Sequence, residues 1–98
     1  MWIGWLEFDV LLGDVHSLKQ KRSVLRPVIA ELRRRFAVSA AETGAQELHR
    51  RASLGIAAVS ADRGHIVDVL DAAERLVADR PEMELLSTRR DLRRSTDD

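Results

Sequence analysis

The fold of this chain is decided by residues 2–12, Trp2-Ile3-Gly4-Trp5-Leu6-Glu7-Phe8-Asp9-Val10-Leu11-Leu12. The residues alternate with a period of two, which is typical of a β-strand with one face buried in a core. The predicted inward face carries Trp2, Gly4, Leu6, Phe8, Val10 and Leu12, and the outward face carries Ile3, Trp5, Glu7, Asp9 and Leu11. Gly13-Asp14 then ends the strand.

The rest of the chain switches between the two apolar periods that distinguish strands from helices. The predicted elements are a helix over 17–35, strands over Ala37–Thr43 and Ala52–Ser60, a second helix capped by Asp62 and stopped by Arg80-Pro81, and a strand over Met83–Leu92. Residues 93–98 are polar and are predicted to form a flexible C-terminal tail.

The first helix has a clear start signal in Ser17 and Gln20, which match a capping box with a serine N-cap. Pro27 lies inside this helix and removes one backbone donor. At about 100° per residue Pro27 projects away from the apolar stripe, so we expect one helix that bends around the core.

The order strand, helix, strand, strand, helix, strand predicts an α+β, ferredoxin-like βαββαβ fold. In that arrangement a four-stranded antiparallel sheet carries both helices on one face. We call the other face the open face. Residues 1–92 are expected to form one domain, because a chain of 98 residues has room for a single core.

Composition removes several classes of chemistry. The chain has 16 basic and 16 acidic residues and no cysteine. Disulfides, thiolate nucleophiles and cysteine-bound metals are therefore excluded. Neither a signal peptide nor a membrane span is expected, and we expect a cytoplasmic protein.

The open face is expected to bind a second copy of the chain. An exposed tryptophan flanked by aliphatic side chains on an uncovered sheet face is typical of a protein interface. The predicted homodimer face is Ile3, Trp5, Leu11 and Val59. Single-stranded RNA is not expected on this face, because residues 52–59 offer no aromatic side chain for base stacking and Glu7 and Asp9 repel phosphate.

Charge is unevenly distributed despite the neutral total. Residues 17–36 hold seven basic residues and one acidic residue. Within them a basic ridge, Lys19, Arg22, Arg26 and Arg33, spans about 60° of the helix and about 20 Å of its length. A ridge of this kind suits contacts with a phosphate backbone. The predicted RNA- or anion-binding residues are Lys19, Lys21, Arg22, Arg26 and Arg33. The alternative is a solvated face paired with acidic neighbours.

No catalytic constellation is recognisable. His16, His49 and His65 lie in separate segments with no short metal-ligand spacing, so no metal and no cofactor are predicted. Glu42 and Glu47 have a spacing that an acid–base pair can use, but loop carboxylates are mostly solvated. We therefore expect a protein that is not an enzyme.

Two segments resemble the bacterial YlxP-like family of unknown function: Ser17-Leu18-Lys19-Gln20-Lys21-Arg22 and Arg33-Arg34-Arg35-Phe36-Ala37-Val38-Ser39. The similarity extends through Ala41-Glu42, Gln46-Glu47-Leu48 and residues 51–60 and covers about residues 1–92. The resemblance implies a ferredoxin-like fold. It also implies a genetic setting beside translation initiation and ribosome maturation, which is an association and not a mechanism.

These observations favour a small accessory protein that binds RNA or a ribosomal particle through its first helix. Two alternatives remain. One is a regulatory module similar to ACT domains, which bind a small molecule at a subunit seam, here near Trp5 or Glu42. The other is a dimer that serves only protein interaction.

Overall fold

The computed structural model describes residues 1–96 and has the element order βαββαβ. The elements are β1 (Trp2–Leu12), α1 (Leu18–Phe36), β2 (Ser39–Gly44), β3 (Arg51–Ser60), α2 (Arg63–Ala78) and β4 (Met83–Arg94). The strands form one antiparallel sheet in the order β2-β3-β1-β4. The predicted ferredoxin-like fold is confirmed.

The alternation along β1 places its two faces as predicted. Leu6, Phe8, Val10 and Leu12 are buried in the core, whereas Trp5 is 40% exposed. β1 pairs with β3 on one side and β4 on the other along almost its whole length. The strand that the sequence indicates most clearly is therefore central in the sheet.

α1 begins at the predicted cap. The Ser17 hydroxyl accepts a hydrogen bond from the Gln20 amide at 3.1 Å. The Gln20 side chain accepts from the amide of His16, one residue before the cap, at 2.7 Å. Pro27 is exposed and α1 runs through it as one helix from Leu18 to Phe36, because the face that carries Pro27 is turned away from the core.

The start of β2 differs from the prediction. Ala37 is not in the strand but is the C-cap of α1, with the left-handed values φ 49 and ψ 47. A left-handed residue commonly ends a helix because it turns the chain away from the helix axis. Only after this turn does extended structure begin at Ser39, and it continues to Gly44, one residue past the predicted end at Thr43.

β4 also extends past its predicted end. Arg93 and Arg94 belong to the strand and pair with Ile3 and Trp2, although they were assigned to the tail. The amide of Ser95 then donates to the Met1 carbonyl at 2.8 Å. The polar composition of this segment reflects an edge strand rather than an unpaired tail. Residues 97–98 of the predicted tail lie outside the described residues.

Asp62 caps the N-terminus of α2, and its carboxylate accepts a hydrogen bond from the Gly64 amide at 2.9 Å. The helix lies directly over Gly4 of β1. A Cβ atom added at Gly4 would stand 2.3 Å from Ile66 Cγ2, whereas one at Gly13 would meet nothing closer than the Glu82 carbonyl at 3.9 Å. The missing side chain at Gly4 therefore sets how closely α2 approaches the sheet.

We predict that Gly4→Ala lowers the free energy of unfolding by about 1–3 kcal/mol, because Ile66 is β-branched and stiff in a helix and cannot yield without shifting α2. Urea unfolding measures the change. The control Gly13→Ala is expected to be neutral or to stabilise by up to about 1 kcal/mol. Equal effects from the two substitutions would contradict the close approach at Gly4.

Candidate functional site

The open face divides into an apolar end and a polar end. At the apolar end Ile3 and Val59 are cross-strand partners, and Val59 is exposed beside Trp5. Leu11 lies at the opposite end of β1, beyond Glu7 and Asp9. The predicted interface residues Ile3, Trp5 and Val59 are therefore brought together, but Leu11 is not part of the same patch.

A groove runs beside Trp5 across β3 to the edge strand β2. It has a volume of about 360 Å³, and the residues that floor it on β2 and β3 are small: Ser39, Ala41, Gly55 and Ala57. Gly55 has no room for a side chain, because a Cβ there would stand 2.7 Å from Thr43 Cγ2. The exposed ring of Trp5 and a recess floored by small residues thus lie side by side on the open face.

The polar end is a network of ion pairs around Glu7. The Glu7 carboxylate accepts a hydrogen bond from the Thr43 hydroxyl at 2.9 Å and another from Arg89. Next to it Arg51 donates to Asp9 at 2.5 Å. A cavity of about 450 Å³ lies over these groups, with Leu48 of the β2–β3 loop at its rim.

This network changes the acidity of Glu7. The Thr43 hydroxyl and then the Arg89 guanidinium stabilise the charged form, so the pKa of Glu7 lies below its ordinary value of 4.5. The open face keeps its negative charge at Glu7 under ordinary conditions.

All four residues of the basic ridge of α1 are exposed, but one of them is hydrogen-bonded within the fold. Lys19, Arg22 and Arg26, which we call the cation triplet, are exposed, and none of them forms an ion pair within residues 1–96. Arg33 differs, because its Nε and Nη2 donate to the Ala40 carbonyl of β2 at 3.1 and 2.6 Å. Its guanidinium is therefore engaged at the sheet edge.

Lys21 is not on the exposed face at all. Its side chain is 2% exposed, which removes it from the predicted anion-binding set. The sequence did contain the signal, since Leu18, Lys21, Leu25, Val28 and Leu32 follow the i, i+3, i+7 spacing of the buried stripe. Lys21 was grouped with its basic neighbours although its position on the helix points inward.

The Lys21 ammonium holds the β2–β3 loop. Nζ donates to the carbonyls of Ala45 and Leu48, both at 2.7 Å, and lies 2.8 Å from Glu42 Oε2. Within residues 1–96 no hydrogen bond reaches this buried oxygen, so its contact with Lys21 is ionic. Glu42 is thus a partner of Lys21 rather than a solvated loop carboxylate, and Glu47 is exposed in the turn.

The three histidines stay separate and exposed, and the His16 ring nitrogen Nε2 lies 2.6 Å from Asp14 Oδ1. Among residues 1–96 no three His, Asp or Glu side chains come together as a metal-binding group. The helices of the described chain include none that is long and apolar enough to cross a membrane.

Comparison with known sequences matches residues 3–90 to the family described as protein of unknown function (DUF503). The chain belongs to this DUF503 family. It is also 37% identical to the uncharacterized protein YlxP of Bacillus subtilis over 87 residues, which are 89% of this chain and 95% of that protein. The resemblance to YlxP-like proteins is confirmed. The matched region of the DUF503 chain includes the open face, the cation triplet and the Lys21–Glu42 pair.

We predict that Lys21→Met lowers the free energy of unfolding of this DUF503 protein by about 3 kcal/mol, because it leaves the half-buried Glu42 carboxylate, whose Oε2 atom is buried, without its partner. Adding Glu42→Leu should restore part of the loss. Lys19→Met is the matched control and should change stability by less than about 0.5 kcal/mol. Urea unfolding measures all three, and an equal cost at the two lysines would contradict the anchoring role.

The acidity of Glu7 gives a pH-dependent prediction. Because its pKa is lower in the folded chain than in the unfolded chain, ionised Glu7 stabilises the fold above its ordinary value of 4.5 and loses this contribution as the pH falls through the folded value. The stability difference between wild type and Glu7→Gln should therefore be present at neutral pH and shrink in acid.

Thermal unfolding measured from neutral to acidic pH tests the effect of Glu7 on stability. Thr43→Val removes the hydroxyl that contributes most to the lowered pKa, so it should weaken the same pH dependence. A difference between wild type and Glu7→Gln that stays constant from neutral to acidic pH would show that the network does not stabilise the carboxylate.

Proposed function

We propose that this DUF503 protein is a cytoplasmic, non-enzymatic accessory protein that binds RNA, free or within a ribosomal particle, through the cation triplet of α1. The observation that carries the proposal is that Lys19, Arg22 and Arg26 are exposed on one helix face and form no ion pair in the described part of the chain.

The acidic residue of α1 has its ion-pair partners outside the triplet. Glu31 contacts Arg35 at 3.4 Å and Arg80 at 3.2 Å, so it compensates the far end of the helix. The triplet occupies the first half of α1, where its members recur at i, i+3 and i+7. They fall within about 60° of the helix surface and span about 10 Å along the axis. That spacing suits contacts with successive phosphates of one strand.

The other surface of the molecule suits phosphate less well. The arginines of the open face, Arg51 and Arg89, already contact Asp9 and Glu7, and Glu7 stays ionised. A phosphate approaching there would have to displace a carboxylate. The proposal therefore assigns the nucleic acid to the helix side of the sheet.

Two cavities bear on the alternative of a regulatory module for small molecules. One, of about 450 Å³, lies at the polar end of the open face, and another, of about 230 Å³, lies beside Glu42. In the first cavity, Arg51 and Arg89 are already paired with Asp9 and Glu7. In the second, the Lys21 ammonium already contacts two carbonyls and Glu42, which leaves Arg22 as the cation of the lining without an ion pair in the described chain. Few charged groups are left to bind a ligand, so this alternative has less support.

We predict that the triplet sets the salt dependence of RNA binding. Each lost phosphate contact lowers the slope of log K against log salt by about 0.7 for a single strand. Lys19→Gln/Arg22→Gln/Arg26→Gln should therefore lower the slope by about 2 and weaken binding. Fluorescence anisotropy of a labelled oligouridine at several salt concentrations measures both quantities.

Arg75→Gln is the control, because Arg75 is an exposed cation on α2 and makes no ion pair among residues 1–96. It should leave the slope and the affinity unchanged. Pelleting with ribosomal particles under the same salts shows whether free RNA or the particle is preferred. If the triple variant binds both with wild-type slope, or if wild type binds neither, the proposal is wrong.

A further inference from the structure

We propose that two copies of this chain associate face to face through their open faces, with Trp5 of each copy seated in the groove of the other. The proposal goes beyond RNA binding and does not depend on it, because it uses the sheet surface opposite α1. It rests on four properties of that surface: its shape, its symmetry, its charge and its area.

The shape is self-complementary. Trp5 stands 40% exposed, and the groove beside it is floored by small residues of β2 and β3. An isologous dimer needs a projection and its recess on the same surface, because each copy must offer what the other needs. The open face carries both within one row of cross-strand partners, since Trp5 pairs with Ala57 and Ala57 pairs with Ser39.

The strand register defines the symmetry that joins them. A twofold axis parallel to the strands, between β1 and β3, keeps each row of partners opposite the same row in the second copy. It exchanges the two strands, so Trp5 of one copy lies above Ala57 of the other. The strands of the two sheets then run nearly parallel, at an angle near −30°, which is the usual aligned packing of two sheets.

The charge of the open face permits a second identical face to approach. The β4 residues that pair with Glu7, Trp5 and Ile3 are Arg89, Asp91 and Arg93. Together with the ion pair of Asp9 and Arg51, the face holds three carboxylates and three guanidiniums. With the axis between β1 and β3, the charged residues of β1 and β4 lie over small residues of β3 and β2 in the other copy. Glu7 lies over Gly55 and Asp91 over Ser39, so the carboxylates of the two copies do not face each other.

The area is also sufficient. Four strands at the usual spacing and the length of β1 give a face of about 19 Å by 34 Å, roughly 650 Å² in projection. Stable interfaces bury about 600–1,000 Å² of accessible surface on each partner, so this face is large enough when most of it is covered. The contact must therefore include the polar end as well as the groove. Both α1 helices remain on the outside, so the cation triplets stay accessible.

Sedimentation velocity tests the dimer, with the wild-type mass expected at twice the chain mass of 11.1 kDa. Ala57→Arg fills the groove with a charge that has no partner, and Trp5→Glu removes the projecting ring. Each should weaken association by about a hundredfold or more. The matched control Ala78→Arg makes the same change at an exposed position of α2 and should remain a dimer.

A fluorescence measurement does not depend on any groove variant folding. Trp2→Phe leaves Trp5 as the one tryptophan and spares the open face, since Trp2 lies on the helix side near the guanidiniums of Arg63 and Arg94. Emission of Trp5 should shift to the red as the dimer dissociates on dilution.

The proposal is wrong if wild type sediments as a monomer at about 100 μM, since that concentration detects even weak interfaces. It is equally wrong if folded Ala57→Arg remains a dimer or if the emission wavelength of Trp5 does not change on dilution. RNA binding by wild type or by Ala57→Arg decides only the function proposed for α1, so the two proposals fail separately.

Discussion

Burial of every second side chain of β1 is the constraint on which the rest of the structure depends. β1 has β3 on one side and β4 on the other, so its backbone is paired on both edges and its inward residues need a cover. α1 and α2 supply that cover, and Gly4 sets how closely α2 can approach. Since both helices lie on one side, the same alternation also creates the open face with Trp5 at its surface.

A buried charge organises the loop at one end of this sheet. The Lys21 ammonium is buried away from water, so protein groups must compensate its positive charge. The Ala45 and Leu48 carbonyls and the Glu42 carboxylate provide the compensation. This arrangement connects α1 to the β2–β3 loop, which borders the cavity at the polar end of the open face. Lys21, which was predicted from the sequence to bind an anion, therefore stabilises the β2–β3 loop beside the open face.

The two candidate surfaces lie on opposite sides of the molecule and differ in electrostatics. The outer face of α1 presents cations without carboxylate partners in the described chain, whereas the open face presents charges that are already paired beside an apolar groove. The first suits a polyanion and the second suits a surface of mixed charge. RNA binding and self-association would use separate surfaces of this DUF503 protein, so one need not block the other.

The sequence was enough to predict the strand and helix positions, the inward face of β1 and the helix caps at Ser17 and Asp62. It was also enough to predict the family. Each of these depends on local spacing or on a short motif. The structure alone decided that Ala37 turns the chain and that Arg93 and Arg94 extend β4, since neighbouring elements determine both. It also decided that Lys21 is buried, that Arg33 is engaged by Ala40 and that Leu11 is far from Trp5. The groove depends in the same way on residues of three strands that come together only when the sheet forms. Local periodicity specifies which side of an element faces inward, but the partners of a side chain depend on segments distant in the chain.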